Sequence, residues 1–256
     1  MTIRGVCFDA TGTLIEPAES IGETYSRAAR EAGVRLPAWR LDDAFQRVLR
    51  QAPPLGEAGA TGATQSERET AEIAWWRERV RQTFQAADST VRFADAEGLF
   101  GGLFAHYRRP EAWRLRPGAR EVLARLQREG CALGLASNFD HRLPDILEGL
   151  DLARFFSFVT IPSRSGAAKP DPRVIEAVGR ALGLPLASLA YVGDDAPEVL
   201  ASIARQGLLV VDVADCPDLA ALPARLRPDA GDGAAKLASN VDPLENGARR
   251  EVIPES

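Results

Sequence analysis

Four short apolar runs constrain the fold more than any other feature of the chain: "IRGVCF" (3–8), "CALGLAS" (131–137), "LAYVG" (189–193) and "GLLVVDV" (207–213). Each is short and apolar on both faces, as expected of a strand buried inside a parallel sheet. "FSFVTI" (156–161) reads as a fifth. Helix-period segments at 117–129, 142–150, 171–183 and 196–206 separate the later runs. Strands alternating with helices predict an α/β fold, a Rossmann-like, doubly wound parallel sheet.

The stretch from 16 to 112 breaks this rhythm and has no convincing strand. "AESIGETYSRAAREAG", "LDDAFQRVLRQA" and "SERETAEIAWWRERVRQTFQAA" read as amphipathic helices, with another over 95–108 and a Pro/Gly/Ala/Thr loop at 52–65. The expected organisation is an α/β core of residues 1–15 and 113–228, interrupted by a helical unit over 16–112. Residues 229–256 are polar with few apolar anchors and are expected to be a disordered tail.

Charge and cysteines narrow the function classes. A formal net charge of −5 gives no electrostatic case for nucleic acid or an anionic membrane. No apolar run reaches membrane-span length, and "MTIRGVCFDA" lacks a signal peptide's apolar centre. Cys7, Cys131 and Cys216 are odd in number and far apart, which fits reduced thiols in a cytoplasmic protein. Oligomeric state is left open.

The chemistry gathers at the strand ends. Asp9 ends the first strand, where open α/β sheets bind ligands. The "TGT" after it, Thr11, Gly12 and Thr13, forms a tight turn whose N–H groups and hydroxyls suit an anion. Ser137 ends the next long strand, and its hydroxyl with the N–H of Asn138 can hold a phosphate oxygen. Lys169, in "AAKPDPRV", can reach the same anion as a point charge; the chain's only other lysine is Lys236. Asp194 and Asp195 follow "LAYVG". Near Asp9 they repel one another unless a cation intervenes, and such hard oxygen donors suit Mg²⁺. The plain alternative is that one of them caps the helix begun by Pro197. Each signal alone is weak, but all fall in order on successive strand ends.

This series resembles the haloacid dehalogenase-like hydrolase superfamily over roughly residues 1–225, with "FDATGTL", "ASN", "KPDP" and "VGDD" as its four motifs. The helical unit resembles that family's α-helical cap. "FDATGTL", "APPL", "WWRERV" and "SNFD" together are most similar to its rhythmically-expressed-gene-two-like branch. The resemblance implies a phosphatase for a small phosphorylated metabolite. Asp9 would be the nucleophile, Ser137 and Lys169 would bind phosphate, and Mg²⁺ would sit on Asp9, the Thr11 carbonyl and Asp194. Two positions depart from the pattern. Thr11 stands where such phosphatases carry the aspartate that acts as general acid and base. The acid expected later in the fourth motif falls on Glu198 and Val199, so Asp195 or Glu198 must complete the metal site.

Two other activities and one non-enzyme reading compete. A phosphonate hydrolase needs a lysine in the cap, and 16–112 contains none. A metal-independent haloacid dehalogenase would take Arg40 as its halide-binding residue, though a solvated helix-face arginine is the simpler reading. A binding-only homologue would keep the anion site without turnover. For it, "WWRERV" offers Trp75 and Trp76, one expected buried between helices and the other partly exposed.

Overall fold

The computed structural model describes residues 2–55, 62–216 and 218–226. The polar segment 229–256 and Lys236 lie outside them. Strand β1 (Gly5–Phe8) is buried along its whole length. A tight turn follows, with Gly12 in the left-handed region at φ 81°, and leads into β2 (Ile15–Pro17). Helices α1 (Ile21–Glu31), α2 (Ala38–Gln51), α3 (Gln65–Ala87) and α4 (Ala96–His106) come next. The chain returns through β3 (Trp113–Leu115), antiparallel to β2, with Pro17 opposite Trp113 and Ile15 opposite Leu115. Glu16 and Pro17 are therefore extended, contrary to the strand-free reading of 16–112; a three-residue ladder is too short to show a period. From there the chain alternates α5 (Ala119–Arg128), β4 (Ala132–Ala136), α6 (Leu143–Gly149) and β5 (Phe158–Thr160). It continues through α7 (Pro162–Ser165), α8 (Pro172–Leu182), β6 (Leu189–Gly193), α9 (Pro197–Ala204), β7 (Leu209–Asp212) and α10 (Leu222–Arg225).

The five apolar runs make one parallel sheet in the order β5-β4-β1-β6-β7. Strand alternation divides its two faces. Val6, Phe8, Leu133, Leu135 and Val192 pack with Leu123, Leu126 and Ile146 on one side. Cys7, Leu189 and Tyr191 pack with Val174, Ile175, Val178 and Ile203 on the other. Helices thus cover both faces, as a doubly wound sheet requires. Fully burying one such Leu or Ile contributes roughly 1.5–3 kcal/mol. Strand order reverses around β1, which leaves a crevice at its carboxyl end beside β6.

The four helices between β2 and β3 have their own apolar cluster, including Tyr25, Leu41, Val80, Phe84, Phe100 and Leu103. Capping boxes start two of them: Ser20 with Glu23 for α1, and Thr64 with Glu67 for α3. Polar contacts then tie the helical unit to α7 and to the loop after β4. Arg68 Nε donates to the Ser163 carbonyl at 2.7 Å. Glu72, 2% exposed, accepts from the His141 backbone N–H at 2.9 Å and meets His141 Nδ1 at 2.8 Å. Trp75 and Trp76 are both half-buried, so neither takes the fully buried place expected of one. Their rings meet edge to face at 4.9 Å, and Trp75 Nε1 donates to the Pro53 carbonyl.

Candidate active site

Asp9 is fixed by the sheet itself. Its N–H donates to the Val192 carbonyl at 2.9 Å, so the β1–β6 ladder carries on into the first residue of the turn. The residue is 6% exposed. Ser137 leaves β4 in the same way, its N–H donating to the Thr160 carbonyl of β5. Asn138 then spends its side chain on positioning: Oδ1 accepts from the Lys169 N–H at 2.8 Å, and Nδ2 donates to the Lys169 carbonyl at 3.0 Å. That double clamp holds the lysine loop against the end of β4.

Lys169 is 4% exposed, and its ammonium is the hub of the site. Nζ donates to Asp9 Oδ1 at 2.8 Å and to the Tyr191 hydroxyl at 2.6 Å, and lies 2.8 Å from Asp195 Oδ1. The Tyr191 hydroxyl in turn donates to Asp195. Burial by itself pulls a lysine down, but the charges of Asp9 and Asp195 outweigh it and hold Lys169 above its usual range. Burial pushes Asp9 from an ordinary 3.8 up to about 6, against the lowering influence of Lys169 and with the repulsion of Asp195. Asp9 is thus a poorly solvated carboxylate whose negative charge is balanced chiefly by Lys169.

The turn residues divide their work differently from the sequence expectation. Thr13, fully buried, donates its hydroxyl to Asp194 Oδ1 at 2.9 Å instead of facing the space for a bound phosphate. Gly12 makes room for the same carboxylate, since a Cβ there would lie 1.9 Å from Asp194 Oδ2. Neither residue lines the cavity, whereas Thr11 does. Neither Asp194 nor Asp195 caps α9, whose N-cap is Ala196 without a side-chain bond. Asp195 is committed to Lys169 and Tyr191, and Glu198 is exposed and outside the cavity. Among the described residues no three Asp, Glu, His or Cys side chains gather as a metal centre. Two carboxylates, Asp9 and Asp194, do share the cavity floor with Thr11. Mg²⁺ usually takes one or two protein carboxylates and keeps several waters, so this donor set fits it.

Above the floor opens a cavity of about 400 Å³. Its base is polar: Asp9, Thr11, Ser137, Asn138, Lys169 and the two carboxylates that follow β6, Asp194 and Asp195. Its walls are apolar and come mostly from the helical unit, including Ile21, Tyr25, Phe45, Leu49, Trp76 and Phe104. The family model for haloacid dehalogenase-like hydrolases matches residues 3–204, a span that holds every floor residue. The chain belongs to the haloacid dehalogenase-like hydrolases.

Relatives place it further. It is 31% identical over 194 residues to haloacid dehalogenase-like hydrolase domain-containing protein 3 of Danio rerio, covering 75% of this chain and 77% of that one. It is 26% identical over 189 residues to the rhythmically expressed gene 2 protein of Drosophila melanogaster, covering 71% and 70%. It is 28% identical over 201 residues to a phosphoglycolate phosphatase of Salmonella typhi, covering 78% and 77%. A solved dehalogenase, captured as an intermediate complex, shares the fold at a TM-score of 0.60 and 20% identity, covering 83% of this chain and 85% of that chain.

Sequence reasoning missed residues in and behind the cavity of this hydrolase. Tyr191 sits inside "LAYVG", where it reads as one more apolar strand residue, yet its hydroxyl bridges Lys169 and Asp195. Arg142, 3% exposed, forms a two-point ion pair with fully buried Asp140 and donates to the Phe104 carbonyl at 3.0 Å. Its guanidinium lies 3.8 Å from the Phe104 ring centroid. Arg40, by contrast, is exposed, lies over Trp39 and does not line the cavity. A halide role for it has no geometric basis.

Proposed function

We propose that this hydrolase is a phosphatase acting on a small phosphorylated molecule, with Asp9 as nucleophile, and that it works in the cytoplasm. The observation that carries the reading is the Lys169 ammonium 2.8 Å from Asp9 Oδ1 at the floor of a cavity shared with Ser137. A single buried cation beside a buried carboxylate, with a hydroxyl facing the same space, is a receptor for a phosphoryl group. The residue span 16–112 acts as a cap over a core of 1–15 and 113–228.

With Lys169 holding Oδ1, the other Asp9 oxygen attacks phosphorus. A bond forms between that oxygen and phosphorus, and the ester P–O bond breaks with its electron pair staying on the departing oxygen. Water then attacks the aspartyl phosphate, releasing orthophosphate and restoring Asp9. Lys169 and Ser137 bind the phosphoryl oxygens, while Asn138 and Tyr191 fix where Lys169 stands. Asp9, Asp194 and the Thr11 carbonyl would hold Mg²⁺, which when bound neutralises phosphoryl charge. Thr11 supplies no carboxyl group to protonate the leaving oxygen, help that is typically worth about 10²–10⁴ in rate. The phosphoglycolate phosphatase among the relatives supports phosphoryl chemistry; the dehalogenase likeness is one of fold.

Phosphate release from a panel of phosphate monoesters, with and without Mg²⁺, tests the reading. Release that depends on Mg²⁺ and disappears in Asp9→Asn is the expected result. No release from any ester by the wild type refutes it and leaves an anion-binding homologue.

A further inference from the structure

We propose that the substrate's leaving group is an uncharged aryl alcohol, so that the cavity takes an aryl phosphate with its ring among the cap's aromatic side chains. This rests on the phosphatase reading of the same site and adds what sits beyond the phosphate. Two independent observations point to it.

The first is the wall. Tyr25, Phe45, Trp76, Phe100, Phe104 and Trp113 line the space above the polar floor. Aromatic faces and edges at such spacing hold a planar ring well. The only cations lining the cavity among the described residues are Lys169 and Arg142. Lys169 belongs to the floor. Arg142 is neutralised by Asp140 through bonds of 2.8 and 2.6 Å, and its third donor group is taken by the Phe104 carbonyl. No free cation remains to recognise a second phosphate or a carboxylate, so a charged leaving group would be desolvated without compensation, while the unpartnered Trp76 Nε1 and Tyr107 hydroxyl on the wall can each meet a neutral polar substituent on a ring.

The second is the floor. The cavity's carboxylates other than Asp9 are committed, Asp194 to the Thr13 hydroxyl and Asp195 to Lys169 and Tyr191. Thr11 Oγ1 is buried without a partner, a hydroxyl that can solvate a departing oxygen but cannot protonate it as a carboxylic acid does. Burial pushes the Tyr107 hydroxyl up to about 12, so it gives up its proton reluctantly. A site without an acid favours a leaving oxygen that departs as a stable anion, and a phenolate does so far more readily than an alkoxide. The ester oxygen leaves with its bonding pair and takes its proton afterwards from water.

The test compares naphthyl phosphate, acetyl phosphate and phosphoglycolate at fixed Mg²⁺. Acetyl phosphate has a good leaving group but no ring, so it separates the wall from the floor. The aryl ester should exceed both others in kcat/KM by about tenfold or more, the scale of a filled apolar subsite. Trp76→Ala should lower the aryl-to-acetyl ratio, mainly through KM. Binding of naphthyl phosphate to Asp9→Asn, read by quenching of tryptophan fluorescence, tests recognition without turnover. Equal or better turnover of acetyl phosphate or phosphoglycolate overturns the aryl assignment and leaves the phosphatase reading standing. Aryl binding without hydrolysis by the wild type keeps the aryl site and overturns the phosphatase reading. Neither binding nor hydrolysis overturns both.

Discussion

Replacing Asp9 by Asn should stabilise the protein above pH 6 and do nothing in acid. The folded structure raises this carboxyl from 3.8 to about 6, first by burial and then by the repulsion of Asp195. A group raised on folding binds its proton more tightly in the folded state. Stability is therefore greatest below the unfolded value and is lost as pH rises through the folded one. An elevation of this size corresponds to about 3 kcal/mol withheld from the fold at neutral and alkaline pH. Asparagine keeps the shape and removes the charge, while Lys169 retains Asp195 and Tyr191 as partners. For a chain of this length the gain translates to about 6–12 °C in Tm at alkaline pH, shrinking to nothing below the unfolded carboxyl's range. Thermal unfolding of both proteins followed by circular dichroism, in chelator at alkaline and acid pH, measures it. Added Mg²⁺ should then raise the wild type more than the variant, by mass action. A variant that is less stable than wild type at alkaline pH would refute the reasoning, since Asp9 and Lys169 would then be a net stabilising ion pair.

Thr11→Asp should speed hydrolysis of an alkyl phosphate by up to about 10² and an aryl phosphate far less, because proton donation matters most for the more basic leaving oxygen; equal acceleration of both would mean the new carboxylate acts through binding. Gly12→Ala should weaken Mg²⁺-dependent activity, since its Cβ would displace Asp194 from 1.9 Å away and sits at φ 81°; a Mg²⁺ titration of activity reads it. Asp140→Ala should cost about 3–5 kcal/mol in chemical denaturation, the usual penalty for stranding one partner of a buried ion pair. The Glu72 carboxylate, foremost among the causes, raises His141 above 6.5 in the folded state, so the Glu72–His141 contact stabilises most below that value and fades as pH rises through the raised one. The stability difference between wild type and Glu72→Gln should accordingly be larger at about pH 6 than at about pH 8.

The sheet was legible because strands buried on both faces carry unbroken apolar runs, and the residue ending each run is where a doubly wound sheet puts its chemistry. "LAYVG" coincides with β6 residue for residue, and the other four strands lie within their runs. What escaped was set by partners far away in sequence. Glu72 is a charged residue on an amphipathic helix until His141, 69 positions on, accounts for its burial. Arg142 and Asp140 look like an ordinary surface pair until Phe104 covers them. Asp195 beside Asp194 suggests a paired metal ligand, yet only the three-dimensional path of Lys169 and Tyr191 decides which one turns inward. The cavity walls are of the same kind, because a helix's apolar stripe does not say which part of it faces a neighbour and which part faces a void.

The β2–β3 ladder makes this molecule a chassis with a replaceable head. Pro17 and Trp113 are cross-strand partners, so everything between them leaves and rejoins the core at one point. Closing a chain onto fixed ends becomes only slowly harder as the inserted length grows. A foreign segment of different size, grafted between those two positions, would thus inherit Asp9, Ser137 and Lys169 already assembled. It would replace the walls contributed from Ile21 to Tyr107 without disturbing the β1–β6 ladder that fixes Asp9. On the phosphatase reading proposed above, selectivity and reactivity would be separately editable in this chain, one exchanged while the other is held still.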